Sequence, residues 1–172
     1  TFNRQAFDNY REANALLRRT NQTDLYVKSM EASGNLVLNF GSPKTAISFY
    51  KRSLAARENL NDMQGIIDCN KKIAGIYFSE KIYDSALYFN KAATQYARGN
   101  SEALADAAIQ ELIILTFLKN NDEAAKAKQK AEVLVNTQAN ATNKIRLMGA
   151  ISNYYLMLND KESAKKYFDS GR

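Results

Sequence analysis

Residues 75–92 read GIYFSEKIYDSALYFNKA, apolar and aromatic on both flanks, with no proline and a single glycine at the first position. The stretch is one long helix, a pair of strands, or the junction between two helices. Upstream, Ile66, Ile67, Ile73, Ala74 and Tyr77 recur at helical steps, and downstream so do Ala86, Phe89, Ala93 and Tyr96. The two-residue alternation of a half-buried strand is missing, although isoleucine, tyrosine and phenylalanine would suit one. The pattern therefore predicts that residues 75–79 end one helix, 80–82 turn, and Tyr83 opens a second helix.

Similar punctuation recurs along the chain. Polar helix-start signals fall at Asn21, Ser42-Pro43, Asn61-Asp62, Asn100, Asn120, Asn140 and Asn159-Asp160, with a weaker one at Ser79; the spacing is about 20 residues. Side-chain oxygens of Asn, Ser and Asp accept from the free amides of a first helical turn, and Pro43 suits the first helical position. Helices of about 17 residues are rods near 25 Å long. Links of two to four residues make neighbouring rods antiparallel. The predicted first helices of successive pairs are 22–39, 63–79, 101–118 and 140–158, and their partners 43–59, 83–98, 121–136 and 160–170, with 3–18 a preceding second helix.

Alternate helices carry a second regularity. Ala6, Ala46, Ala86, Ala124 and Ala164 stand 40, 40, 38 and 40 residues apart, and seven residues after each comes Ala13, Ser53, Ala93, Ala131 or Gly171. Twelve residues before the later four lie Gly34, Ala74, Leu112 and Ser152. Small residues let helix backbones approach while bulky neighbours fill the grooves beside them. A helical hairpin cannot bury both faces alone, so the period points to a stack of hairpins, a solenoid.

LNDMQGIIDCNKKIAGIYFSEKIYDSALYFNKA, residues 60–92, resembles the tetratricopeptide repeat family, in the variant with about 40 residues per unit found in kinesin light chains, peptide-pheromone receptors and bacterial sensor regulators. Gly65, Ala74, Tyr77, Tyr83, Asp84 and Ala86 carry the resemblance, which extends over nearly the whole chain. It implies an all-α, right-handed superhelical solenoid of antiparallel helix pairs, about four and a half repeats long. The units would be 21–60, 61–99, 100–137 and 138–172, with 1–20 the second helix of a preceding unit. A chain opening at Thr1 is accordingly read as part of a longer array. By analogy with bacterial members, a kinase or DNA-binding output domain is expected elsewhere in the polypeptide.

The composition argues against an enzyme. Among 172 residues there is no histidine and one cysteine, Cys69. The commonest general base is missing, as are the ligand sets of thiolate and mixed nitrogen–sulfur metal sites. Cys69 reads as a packing residue. The carboxylates of Glu80, Asp84, Asp122 and Glu123 read as complements to helix starts, and the seven scattered glycines form no phosphate loop. No cofactor or metal is expected. The sequons at Asn21 and Asn140 are explained by capping. The longest apolar run, residues 112–118, is far short of the roughly 20 residues that span a bilayer. Localisation stays open between the cytoplasm and an extracytoplasmic side. A net charge of +6 comes largely from second helices, including Lys44, Lys51, Arg52 and Arg57. Without aromatic interleaving, this reads as a solvated face in preference to a nucleic-acid track.

In the family resembled, first helices line a concave groove. Carried over, that stripe names Lys28, Glu31 and Asn35, then Lys71 and Phe78, then Ile109, Ile113 and Phe117, then Arg146 and Asn153 as partner-binding residues. The third unit is apolar on more than one side of its helix, so Ile109, Ile113 and Phe117 either lie beneath another element or form a docking surface. The function implied is non-catalytic recognition of a protein or peptide segment, as the sensory or scaffolding part of a signalling protein. The alternatives are a self-associating structural array and, behind it, an RNA-binding helical repeat.

Overall fold

A computed structural model describes residues 2–19, 22–137 and 140–171. Among them are nine helices and no strand: α1 Phe2–Arg19, α2 Thr23–Asn39, α3 Pro43–Asn59, α4 Met63–Ser79, α5 Tyr83–Tyr96, α6 Ser101–Phe117, α7 Asn121–Thr137, α8 Ala141–Met157 and α9 Lys161–Ser170. The predicted bounds agree to within two residues. Asn21, and the side chain of Ala6, lie outside the described residues.

The turns explain the 20-residue beat. Gly41, Asn61, Lys81, Gly99, Lys119 and Asn159 all have φ between 52° and 82°. In the stretch that decided the fold, Ile82 N–H donates to the Tyr77 carbonyl at 2.9 Å and Lys81 N–H to that of Phe78 at 3.0 Å. This pair of bonds closes a helix through one left-handed residue, and it recurs around Gly41, Asn61, Lys119 and Asn159. The residue after it starts the next helix. Asp62, Asn100, Asn120, Asn140 and Asp160 accept first-turn amides, whereas Ser42 and Ile82 make no side-chain cap. One expectation is corrected here: Glu80 caps the C-terminus of α4 and does not belong to a helix start. The Schellman turn consumes three residues before α5 can begin.

Lysine at a left-handed position costs about 1–2 kcal/mol that glycine escapes, offset in part by glycine's greater unfolded freedom. Lys81→Gly should therefore stabilise the protein by about 0.5–1 kcal/mol, raising Tm by about 2 °C. Lys81→Val should lower it. A thermal melt in which the two variants are equal would contradict the turn geometry.

Packing follows the small-residue series. Ala46, Ala86, Ala124 and Ala164 are at most 2% exposed, and Ser53, Ala93 and Ala131 at most 1%. Gly34 faces the Tyr50 ring so closely that a Cβ there would sit 3.0 Å from it. Each helix packs against its successor along the chain, and first helices also meet first helices, α4 with α6 and most extensively α6 with α8. Among the described residues, no Cα pair joining two of the second helices α3, α5, α7 and α9 lies within 8 Å. Long side chains bridge those gaps, Lys51 over Phe89 and Tyr167 to Glu132. Helices that approach lie inside a curve and helices that splay lie outside it, so α4, α6 and α8 form the inner face.

Candidate functional site

The inner face has two edges of different chemistry. In the N-terminal halves of α6 and α8, Asp106 contacts Lys71 from the middle of α4 and, at 2.5 Å, Arg146 on α8. Three consecutive first helices are thus tied by charge. Beside this triad, Gln64, Asp68, Asn100 and Glu102 line a polar recess of about 280 Å³. Near the C-terminal ends of the same helices, Phe78 and Phe117 meet edge to face at 5.3 Å, and Tyr83 packs on both. Phe117, Leu156 and Met157 remain 42–53% exposed. A segment crossing the face meets charge and amide groups along one edge and apolar side chains along the other.

Desolvation alone would raise the Asp106 carboxyl, but hydrogen bonds and charge from Lys71 and Arg146 outweigh it and hold the group below the usual aspartate range. A depressed folded pKa contributes stability that is complete above the unfolded value of 3.8 and lost as pH falls through the folded one. Asp106→Asn should cost about 1 kcal/mol near neutrality, the scale of partly exposed pairs. Urea unfolding well below pH 3.8 should show that gap closing; a gap independent of pH would remove the ion triad from the account.

The structure disperses the remaining stripe residues. Glu31 is engaged internally, accepting at 2.8 Å from Ser53 Oγ and from Arg57 Nε and Nη2. Arg57 continues to Asp62, the cap of α4, and a Cβ on Gly65 would collide with its guanidinium. Cys69 lies within hydrogen-bond distance of Ser53 and Glu31, and burial pushes its thiol up to about 11, so it is protonated at neutral pH. Lys28 pairs with Asp24 in solvent, and Asn35 accepts from the Tyr50 hydroxyl at 2.6 Å. Asn153 is exposed on α8.

Ile109 is 9% exposed and belongs to the α6–α7–α8 core, against which Ile113 packs half-buried. Of the two readings of the apolar third unit, burial beneath a neighbouring element holds for these two residues, because α8 lies directly on α6. Asp106 falls on the same stripe of the third first helix as Ile109 and Ile113, but its pairing with Lys71 and Arg146 is not among the expectations above. Its signal was available in the sequence: Asp106 and Arg146 occupy equivalent positions of adjacent pairs, 40 residues apart and opposite in charge.

No group of His, Cys, Asp and Glu suited to holding a metal occurs among the described residues. No helix among them is long and apolar enough to cross a membrane.

No family model matches the chain, and no curated protein sequence does. Solved structures do. The putative kinesin light chain with nearly identical TPR-like repeats from Podosopora anserina superposes with a TM-score of 0.76 at 11% identity, covering 99% of this chain and 85% of that one. BtubC (BKLC) from P. vanneervenii gives 0.69 at 16% identity over 98% and 74%. MamA from Desulfovibrio magneticus RS-1 gives 0.60 at 15% identity over 96% and 92%. At such identities the likeness speaks for the fold. Helix order, the small-residue period and these superpositions agree: the chain is an all-α solenoid of tetratricopeptide-like repeats.

Proposed function

We propose that the protein is a non-catalytic recognition module whose inner face holds an extended or helical segment of a partner protein. The observation carrying this reading is the two-edged inner face, with the Lys71–Asp106–Arg146 triad along one side and exposed Phe117, Leu156 and Met157 along the other. A bound segment could take over one of the two cations on Asp106 while placing apolar side chains on the opposite edge. In this arrangement Asn153, between Arg146 and Met157 on one face of α8, meets the segment, Phe78 supports the apolar edge, and Lys28 and Asn35 on α2 would extend the binding stripe toward the N-terminus. On this reading the chain is one array of units at 21–60, 61–99, 100–137 and 138–172, after the second helix of an earlier unit, and serves sensing or scaffolding in a bacterial signalling protein.

A photo-crosslinking residue placed at Asn153 in the full-length protein should yield a discrete adduct with a partner in cells. The same residue at Tyr88, 69% exposed on α5, should not yield that adduct. Equal adducts from both positions, or none from Asn153, would count against the groove. Self-association is favoured by one observation, the run of exposed Leu156, Met157 and Leu158 at the end of α8. It would appear as an adduct of the chain with itself and as concentration-dependent sedimentation.

A further inference from the structure

The splayed second helices open clefts on the outer face, and one of them has the makings of a docking site. It runs along α3 against the α4–α5 turn and encloses about 640 Å³, compared with about 370 and 400 Å³ for the clefts beside α1 and α9. Its walls and floor are apolar, from Ile47, Tyr77 and Ile82, the last 48% exposed at the mouth. Its rim is cationic, from Lys44, Lys51 and Arg52, with Glu80 the one carboxylate lining it.

Among the described residues, none of these three cations makes an ion pair. Lys51 instead holds its ammonium 5.4 Å above the Phe89 ring, which itself stacks on Tyr77 at 5.6 Å. The charge is therefore positioned at the rim by an aromatic pair and left without a counter-ion. Cations at 44, 51 and 52, about two helical turns apart along one face of α3, would ordinarily be scattered solvated charge. Here they surround the largest of these apolar openings.

We infer that this cleft docks an acidic segment of a partner protein, one that inserts two or three apolar side chains between carboxylates. The volume suits a few side chains, and amphipathic segments lie in helix-lined grooves with apolar anchors at turn spacing. Three unpaired cations against one carboxylate select the sign of the flanking charge. Single-stranded RNA fits less well, because base stacking needs an open aromatic face and Tyr77 is already stacked on Phe89. The site is separate from the charged edge of the inner face, since α3 and the α4–α5 turn contribute nothing to the Asp106 triad.

The test is selection of a random 16-residue peptide display library on the whole protein, followed by fluorescence anisotropy with the enriched peptides and with a 15-nucleotide oligouridylate. Enriched peptides should combine Asp or Glu with Leu, Ile, Phe or Met. Lys44→Glu combined with Lys51→Glu should weaken their binding at least tenfold. Ile82→Ser, which removes the apolar lip while supplying a better helix cap, should do likewise, with unchanged circular dichroism. Arg146→Ser on the inner face should leave binding as it is, so failure here and failure of the groove reading are distinguishable. The inference is overturned by enrichment of no peptides, by peptides lacking acidic residues, by binding indifferent to Ile82→Ser, or by oligouridylate binding as tightly and being lost in the same variants.

Discussion

Replacing Ala86 with leucine is expected to cost about 1–3 kcal/mol, the penalty for forcing extra methylenes into a filled contact. Ala86 is 0% exposed in the first turn of α5, where that helix lies against α4, and the Tyr77–Phe89 stack closes the space one turn further on. A larger side chain there must push α5 away from α4 or displace that stack. Urea unfolding followed by circular dichroism reads the loss directly. Tyr88→Leu on the same helix, at a position 69% exposed, is the control and should stay within about 0.5 kcal/mol. Equal stability of the Ala86 variant and wild type would mean that the small-residue period does not mark the close approach of helices.

Leu112→Ala should be still more costly, at about 2–5 kcal/mol. The position aligns with Gly34, Ala74 and Ser152, all small, so the repeat taken alone suggests that alanine would be welcome. The structure gives the opposite expectation. Leu112 is 1% exposed inside the core built from α6, α7 and α8, among residues that include Leu115, Ala127, Leu147 and Ile151. The alanines of α7 leave the volume that Leu112 fills, so truncation opens a cavity. Because stability in a stacked array is summed over neighbours, the loss should fall on α6–α8. Hydrogen exchange should quicken there and change little in α2 and α3; uniform quickening would refute a local effect.

These two positions also show what could be read from sequence and what could not. The alanines at 46, 86, 124 and 164 report backbone proximity, a contact repeated with the same geometry in each pair, and periodicity reveals repeated contacts. Leu112 answers to the particular side chains opposite it, which one chain's spacing does not disclose. Turn positions were legible because a helix must stop and restart within three residues. That Lys81 and Lys119 take the left-handed conformation was not, since lysine carries no signal for it. The inner face was legible only as a stripe. Glu31 and Ile109 fall on that stripe, yet one is consumed by Ser53 and Arg57 and the other by α8, because partners from outside the stripe decide which side chains remain free.

The uneven meeting of first helices has a mechanical consequence. α6 lies along α8, α4 only touches α6, and no Cα of α2 comes within 8 Å of α4 among the described residues. Pulled from its ends, such an array is a spring with a stiff coil toward one end and a compliant coil toward the other. A load would then widen the curl away from α6–α8 while the tightly wound end kept its shape.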